Sequence, residues 1–358
     1  MWASLARALD AEIGRATAPR ADGGAPPPTR EARTTVRDLF GLVRATVLRC
    51  QLARLLGSAV LAAAGDAAFI EAFMAFQDAI EEATAKAAVL PRCLALPLAL
   101  WPVARTRRQL TARLAAAIEV TMRTATADDA LGSWLLCSTR SADRPIEAVA
   151  ELAIGLLFAS HKNPAIGAAQ TVCKLMQMAP ENPTTVETVR AEVARMSDAP
   201  SAERLSGCHT LQRCVLETLR IYAHAIGAVR TVANADGFIL GGRFWAARGE
   251  TIALAHVAVH RTPAVWGEQC EAFVTTRSQY GPAGAAAAPP DPYTYTTFSQ
   301  GMHKCPGERL ALRTIECLVA QLVARGIALA APLPAVSFER ATLAQRKGPV
   351  AVTLAVGG

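Results

Sequence analysis

Aromatic side chains are scarce in this chain, at 5% of 358 residues, and charged ones reach only 19%. Hydrophobic residues make up 52%, with long Ala- and Leu-rich stretches. That balance excludes disorder and points to a helix-dominated globular protein with a sizeable core. The formal charge is +7, yet no run of five basic residues occurs. Dispersed charge of this kind argues against a nucleic-acid partner and leaves room for a basic patch facing an acidic protein. No Cys-x-x-Cys pair exists among the nine cysteines, at 50, 93, 137, 173, 208, 214, 270, 305 and 317. An odd, scattered set is no disulfide framework, and a reducing compartment is the expectation. Cys208 and Cys214 followed by His256 and His260 are spaced too widely for structural zinc.

No apolar run reaches the roughly 18 to 20 residues of a bilayer-spanning helix. The longest candidate, Leu94 to Val103, is interrupted by Pro97 and Pro102, and Met1-Trp2-Ala3-Ser4 does not open a secretory apolar core. No internal repeat is present. Helical periodicity predicts helices over residues 2–15, Val36 to Leu56, Phe69 to Ala88 and Arg105 to Thr124. Ala18 to Arg33 reads as a polar, Pro-rich loop, and Leu94 to Trp101 as an apolar loop between prolines. After about residue 226 short strands are expected at Ala228 to Val232, Phe238 to Leu240, Thr251 to Leu254 and finally Val350 to Val356.

The most informative stretch is Phe298-Ser299-Gln300-Gly301-Met302-His303-Lys304-Cys305-Pro306-Gly307, directly followed by a helical pattern. Ala311, Ile315, Leu318, Val319, Leu322 and Val323 recur at three- and four-residue steps. Pro306 suits a first helical turn, which places Cys305 at a helix N-terminus, where free N–H groups favour a thiolate. A thiolate is a soft axial iron ligand. The alternative is a small buried hydrophobe, as cysteines often are.

This decapeptide resembles the haem-binding signature of the cytochromes P-450, Phe-x-x-Gly-x-(Arg or His)-x-Cys-x-Gly, with all five positions filled. The resemblance implies haem b held through its iron by Cys305. Phe298 would sit beside the sulfur, and Gly301 and Gly307 would keep the backbone bare where the porphyrin and the next helix approach. His303 would stand at a haem propionate, in a manner similar to the sterol 14α-demethylase branch. Arg54-Leu55-Leu56-Gly57 also looks like the family helix ending in Leu-Leu-Gly, and Glu147 to Met178 looks like its long central helix.

Glu217-Thr218-Leu219-Arg220 is, by itself, a common i,i+3 surface pair. Within the resemblance it matches the family's Glu-x-x-Arg motif. Trp266, Phe273 and Arg277 resemble its Phe-x-Pro-x-Arg segment, with Thr275 in place of Pro. A Glu217, Arg220, Arg277 network behind the haem is implied, as is a propionate contact from Arg230. In the central helix, Ala159, Ser160 and Asn163 align with the oxygen-side motif Ala-Gly-x-x-Thr. Asn163 replaces the hydroxyl that helps deliver protons to dioxygen, and Lys162 takes the place before it. The plain reading of His161, Lys162 and Asn163 is a polar face of a helix broken near Pro164.

The resemblance implies a mainly α fold with a minor β-region, read as one domain over 1–358 that lacks the family's N-terminal β-region and first helices, roughly its C-terminal three quarters. It implies a haem-thiolate monooxygenase acting on a sterol-like or other lipophilic substrate with dioxygen and an NADPH-dependent reductase or ferredoxin. Lys304, Arg309 and Arg313 are the expected docking cations. An isomerase or dehydratase of the same family, and an inactive haem-binding or helical interaction protein, remain as alternatives. With further chain upstream, association with the endoplasmic reticulum membrane stays open.

Overall fold

A computed structural model describes residues 1–17, 33–124, 145–197, 201–223, 226–282, 291, 293–339 and 343–355. The chain divides into two compact units. The first comprises Met1–Ala169, Arg325–Pro332 and Pro349–Gly358, and the second Gln170–Ala324 and Leu333–Gly348.

In the first unit, α1 (Trp2–Thr17) is followed by β1 (Arg33–Val36), α2 (Leu39–Leu56), α3 (Ser58–Ala64) and α4 (Ala67–Val89). Asp38 caps α2 by accepting from the Phe40 N–H, and Asp66 caps α4 by accepting from Phe69 at 2.7 Å. Gly57, at φ 90°, ends α2 where an L side chain would be strained. A short α5 (Arg92–Ala95) and a π-helical turn (Leu96–Leu100) run straight into α6 (Trp101–Thr124). The expected apolar loop is therefore helical. Pro97 and Pro102 lie inside this continuous run, each one residue past a switch between α and π hydrogen bonding, where the ladder is already irregular. Helices α2, α3, α4 and α6 pack on one another around Leu48, Leu52, Phe69, Phe73, Leu114 and Ile118, all buried.

The long α7 (Ile146–Met178) adds Val149, Ala153 and Leu157 to that core. It is continuous through Pro164, so the expected break is absent. A three-stranded sheet, β1-β9-β6, joins Arg33–Val36 to Val352–Ala355 and Ala328–Leu329, all antiparallel. Strand β1 carries no sequence signal and forms because β9 supplies its ladder.

The second unit holds α8 (Pro183–Ser197), the short α9 (Ala202–Ser206) and α10 (His209–Tyr222). Next come β2 (Ile226–Thr231), β3 (Phe238–Leu240), β4 (Phe244–Ala246) and β5 (Thr251–Ala255), paired antiparallel as β2-β5 and β3-β4. Helices α11 (His256–His260) and α12 (Pro263–Trp266) precede α13 (Glu308–Ala324), which packs with α8 and α10. A last hairpin pairs β7 (Val336–Ser337) with β8 (Gln345–Arg346). The Ala18 to Arg33 loop lies, but for Arg33, outside the described residues.

No single helix among the described residues is long and apolar enough to cross a membrane; the bent pair Ser58–Ala64 and Ala67–Ala87, at 87°, passes that test together. Val60, Ala64, Phe69, Ile70, Phe73 and Phe76 of that pair are buried in the core of the first unit.

Candidate functional site

Helix α10 buries an ion-pair network in the second unit. Glu217 and Arg220 are both fully buried, and Arg277 is nearly so. Arg220 meets the carboxylate with two donors, Nε to Oε2 and Nη2 to Oε1, each at 2.8 Å. Its Nη1 donates to the carbonyls of His260 and Cys270 at 2.6 Å, so the guanidinium ties α10 to the ends of two later segments. Arg277 Nε adds a third bond to Glu217 Oε1 at 2.9 Å, and its Nη1 donates to the Trp266 carbonyl at 2.7 Å. The Trp266 indole lies against both cations, with the Arg220 guanidinium 4.9 Å from the ring centroid. The expected trio is thus assembled. Its fourth member, Tyr280, donates to Glu217 Oε2 at 2.6 Å. Tyr280 lies three residues beyond Arg277, and only that proximity marks it in the sequence.

Two contacts carry the network toward the cysteine loop. Tyr295 donates its hydroxyl to the Leu216 carbonyl at 2.9 Å, and the backbone N–H of Thr296 donates to His260 Nε2 at 2.9 Å. From there the chain makes a closed loop. Ser299 is the one non-glycine residue with positive φ among those described, at 57°, and Gly301 follows at 74°. Glycine at 301 answers a backbone requirement, since an added Cβ would meet nothing within 4 Å. Gly301–His303 form a 3-10 turn, and the Cys305 N–H donates to the Phe298 carbonyl at 2.8 Å. That bond closes the loop at the sulfur.

Cys305 is exposed, whereas Cys50, Cys173, Cys208, Cys214, Cys270 and Cys317 are buried. Burial pushes the Cys173 and Cys208 thiols up to about 11 and raises those of Cys50 and Cys214, which makes them inert packing groups. Cys305 is therefore not one more buried hydrophobe. A Cβ on Gly307 would stand 3.8 Å from the Cys305 sulfur, ordinary contact distance. An exposed sulfur on a loop fixed by its own backbone bond, with bare glycines at 301 and 307, fits a haem thiolate ligand. Pro306 and Gly307 form a turn ahead of α13, so Cys305 precedes the helix by three residues and Pro306 lies outside its first turn.

Phe298 is half-buried, and His303 is exposed. Arg230 is exposed on β2, where Nη1 donates to the carbonyl of Val229 at 2.9 Å. Of the expected docking cations, Lys304 pairs with Glu308 at 2.7 Å and Arg313 with Glu316 at 2.8 Å. Arg309 is exposed. Among the described residues no group of three or more His, Cys, Asp or Glu is placed to hold a metal ion.

In the first unit, Ala159 and Asn163 on α7 are exposed and Ser160 is partly so. The two residues between point inward. His161 is fully buried against Phe73, and Lys162 pairs with Asp78 and Glu81 of α4, each at 2.8 Å. The three polar residues at 161–163 therefore do not share one solvated face.

The cytochrome P450 family model, written here P-450, matches residues 103–325. This chain belongs to the cytochrome P-450 family. Cytochrome P-450 139 of Mycobacterium tuberculosis (strain ATCC 25618 / H37Rv) is 33% identical over 147 residues, 40% of this chain and 33% of that protein. Cytochrome P-450 714D1 of Oryza sativa subsp. japonica is 28% identical over 205 residues, 55% of the chain and 34% of the relative. Carotene epsilon-monooxygenase, chloroplastic, of Arabidopsis thaliana is 28% identical over 145 residues, covering 40% and 26%. The matched part thus spans about a third of the length of such curated relatives. The crystal structure of a cytochrome P-450DA heme domain superposes with a TM-score of 0.67 at 18% identity, covering 98% of this chain and 72% of that one. At that identity the likeness concerns the fold, which is the mainly α cytochrome P-450 fold with a minor β-portion.

Proposed function

We propose that this cytochrome P-450 is a haem-thiolate monooxygenase that inserts one oxygen atom from dioxygen into a lipophilic substrate. The observation that carries the reading is the exposed Cys305 thiol, held at the mouth of a closed loop behind which the Glu217 network is buried. When bound there, haem b supplies reductive activation of dioxygen and transfer of one oxygen atom, favoured by the electron-rich thiolate.

The protein's own residues would divide the remaining work. Cys305 would hold the haem iron through its sulfur, and Phe298, Gly301 and Gly307 shape the loop that presents it. His303 and Arg230 would be the hydrogen-bond donors to the propionates. Glu217, Arg220, Tyr280 and Arg277 hold the loop's anchors at Tyr295 and Thr296 in place. On α7, Ala159 and Ser160 leave room, and Asn163 orders a water by hydrogen bonding but relays a proton poorly at neutral pH. Electrons would come from an NADPH-dependent reductase or a ferredoxin, docking near Arg309. An isoprenoid-type lipid is the proposed substrate class; similarity to carotene epsilon-monooxygenase supports it, and His303 supports the narrower sterol reading. The whole of 1–358 is proposed to act as one functional domain.

Asn163 favours one second reading, an isomerase or dehydratase that rearranges an oxygenated lipid without a reductase. Supplying NADPH, a reductase and oxygen to the haem-loaded protein separates the two. Reducing equivalents consumed in step with oxygenated product support the monooxygenase, and turnover of a lipid hydroperoxide with no such demand supports the alternative.

A further inference from the structure

The hairpin of β3 and β4 in the second unit turns large apolar side chains toward solvent. Phe238, Ile239 and Leu240 on one strand and Phe244 and Trp245 on the other are all exposed, Phe244 at 70% and Trp245 at 64%. The register sets Phe238 opposite Ala246, Ile239 opposite Trp245 and Leu240 opposite Phe244. Opposed residues share a face, so Phe238, Leu240 and Phe244 lie on one side of the ribbon and Ile239 and Trp245 on the other. Neither side is covered. The edges are open too, because among the described residues no third strand pairs with β3 or β4. Natural sheets blunt such edges with charge, proline or a covering element, and a two-stranded hairpin alone is marginally stable at best. These two strands carry neither charge nor proline.

Charge sits instead at the ends of β3. Asp236 precedes the strand and Arg243 closes the turn after Gly241 and Gly242; both are exposed, with no ion-pair partner among the described residues. Antiparallel pairing of β3 with β3 of a second copy, centred on Ile239, sets Phe238 opposite Leu240 and Asp236 opposite Gly242, beside Arg243. A two-fold axis repeats that contact, so two opposite-charge pairs form. Pairing through β4, centred on Trp245, would set Arg243 opposite Ala247, beside Arg248, and like charges would meet. A lipid surface has less claim on the hairpin. Asp236 and Glu250 cancel Arg243 and Arg248 around it, so nothing draws it to anionic headgroups.

We propose that β3 is a self-association edge: two copies of this chain join their hairpins β3 to β3, antiparallel about Ile239, into one four-stranded sheet whose ends are held by Asp236–Arg243 pairs between copies. Edge-on pairing covers part of the five apolar side chains, and the buried area stays at or below about 1,000 Å², the low end for a specific interface. The dimer is accordingly a weak one, with a dissociation constant of about 1–100 µM.

Sedimentation velocity on the full chain, run from about 1 to about 200 µM, should show a monomer–dimer equilibrium. Asp236→Arg and Arg243→Asp each bring like charges together twice across the axis, and each should weaken the dimer about tenfold or more. The double exchange restores both pairs and should recover the wild-type dissociation constant to within about threefold. Both side chains are exposed, so these exchanges leave the core untouched. Ile239→Lys, which puts a charge at the centre of the edge, should abolish the dimer. Protein that stays monomeric throughout, or that associates regardless of these exchanges, overturns the proposal. A double exchange as weak as the single ones overturns the β3 pairing. So does a monomer that floats with phosphatidylserine and phosphatidylcholine vesicles and no longer does so as Trp245→Ser, which would assign the hairpin to lipid. None of these readouts depends on whether Cys305 binds haem.

Discussion

The Tyr280 hydroxyl donates to Glu217 Oε2 at 2.6 Å, on the same oxygen that accepts from Arg220 Nε at 2.8 Å. With Arg220 Nη2, Arg277 Nε and the Val274 N–H, five donors converge on one fully buried carboxylate. Burial alone would raise its proton affinity, but the donors, led by Arg220, hold Glu217 below its ordinary value. Arg220→Ala leaves that charge buried without its main partner and should cost about 3–5 kcal/mol in urea unfolding. Tyr280→Phe removes one donor to a charged acceptor and should cost about 1.5–3 kcal/mol, the smaller effect of the two.

The loop is predicted to be strict at Gly301. At φ 74° an alanine is strained by about 1–2 kcal/mol, although open space surrounds the position. Gly301→Ala should therefore weaken haem retention, read by hemin titration. The same substitution at Gly307, with ordinary sulfur contact, should weaken it less.

Acid sensitivity follows from two histidines. Burial first, and neighbouring cations second, lower His161 to about 3 and His260 to about 4. In the unfolded chain both take up protons below about 6.5, so the unfolded state binds more protons there and stability falls as the pH drops toward the folded values. Each contributes about 1.4 kcal/mol per pH unit across that window. Glu316 works in the opposite direction. Burial, despite Arg313, pushes it up to about 7, so its contribution is full below 4.5 and is lost as the pH rises toward 7. Between pH 4.5 and 6.5 these three groups sum to one histidine's slope, and His256, also lowered by burial, adds on the same side. His161→Leu should take about 1.4 kcal/mol per pH unit off that slope in unfolding curves collected at several pH values.

Replacing Asn163 by Thr restores a hydroxyl on an exposed face of α7. In the haem-loaded protein with a reductase, Asn163→Thr should raise product formed per reducing equivalent by about tenfold. Equal coupling in both proteins removes Asn163 from the proton route.

The cysteine loop and the Glu217 network were legible because their chemistry sits in short, dense motifs. Tyr280, Tyr295 and His260 were not, since each acts through a contact with a residue far away in sequence. Leu94 to Trp101 misled because prolines that usually break helices here fall at either end of a π-helical turn that interrupts the ordinary ladder. Pro164 misled for another reason: α7 runs past it, held by the core residues Val149, Ala153 and Leu157 on one side of the proline and Ile166 and Ala169 on the other. The family resemblance placed the ends of α7 to within a residue, but it could not tell which of His161, Lys162 and Asn163 faces inward. That depends on α4, whose Asp78 and Glu81 draw Lys162 in.

The central claim is that Cys305 is the iron ligand, and the absorption spectrum of the reduced, carbon-monoxide-treated protein tests it most directly. Protein reconstituted with hemin should give a thiolate-ligated carbon-monoxide band that Cys305→Ala abolishes while the fold is retained. A band that survives in Cys305→Ala, or folded wild-type protein that takes up no haem at all, would contradict the account and favour an inactive helical remnant.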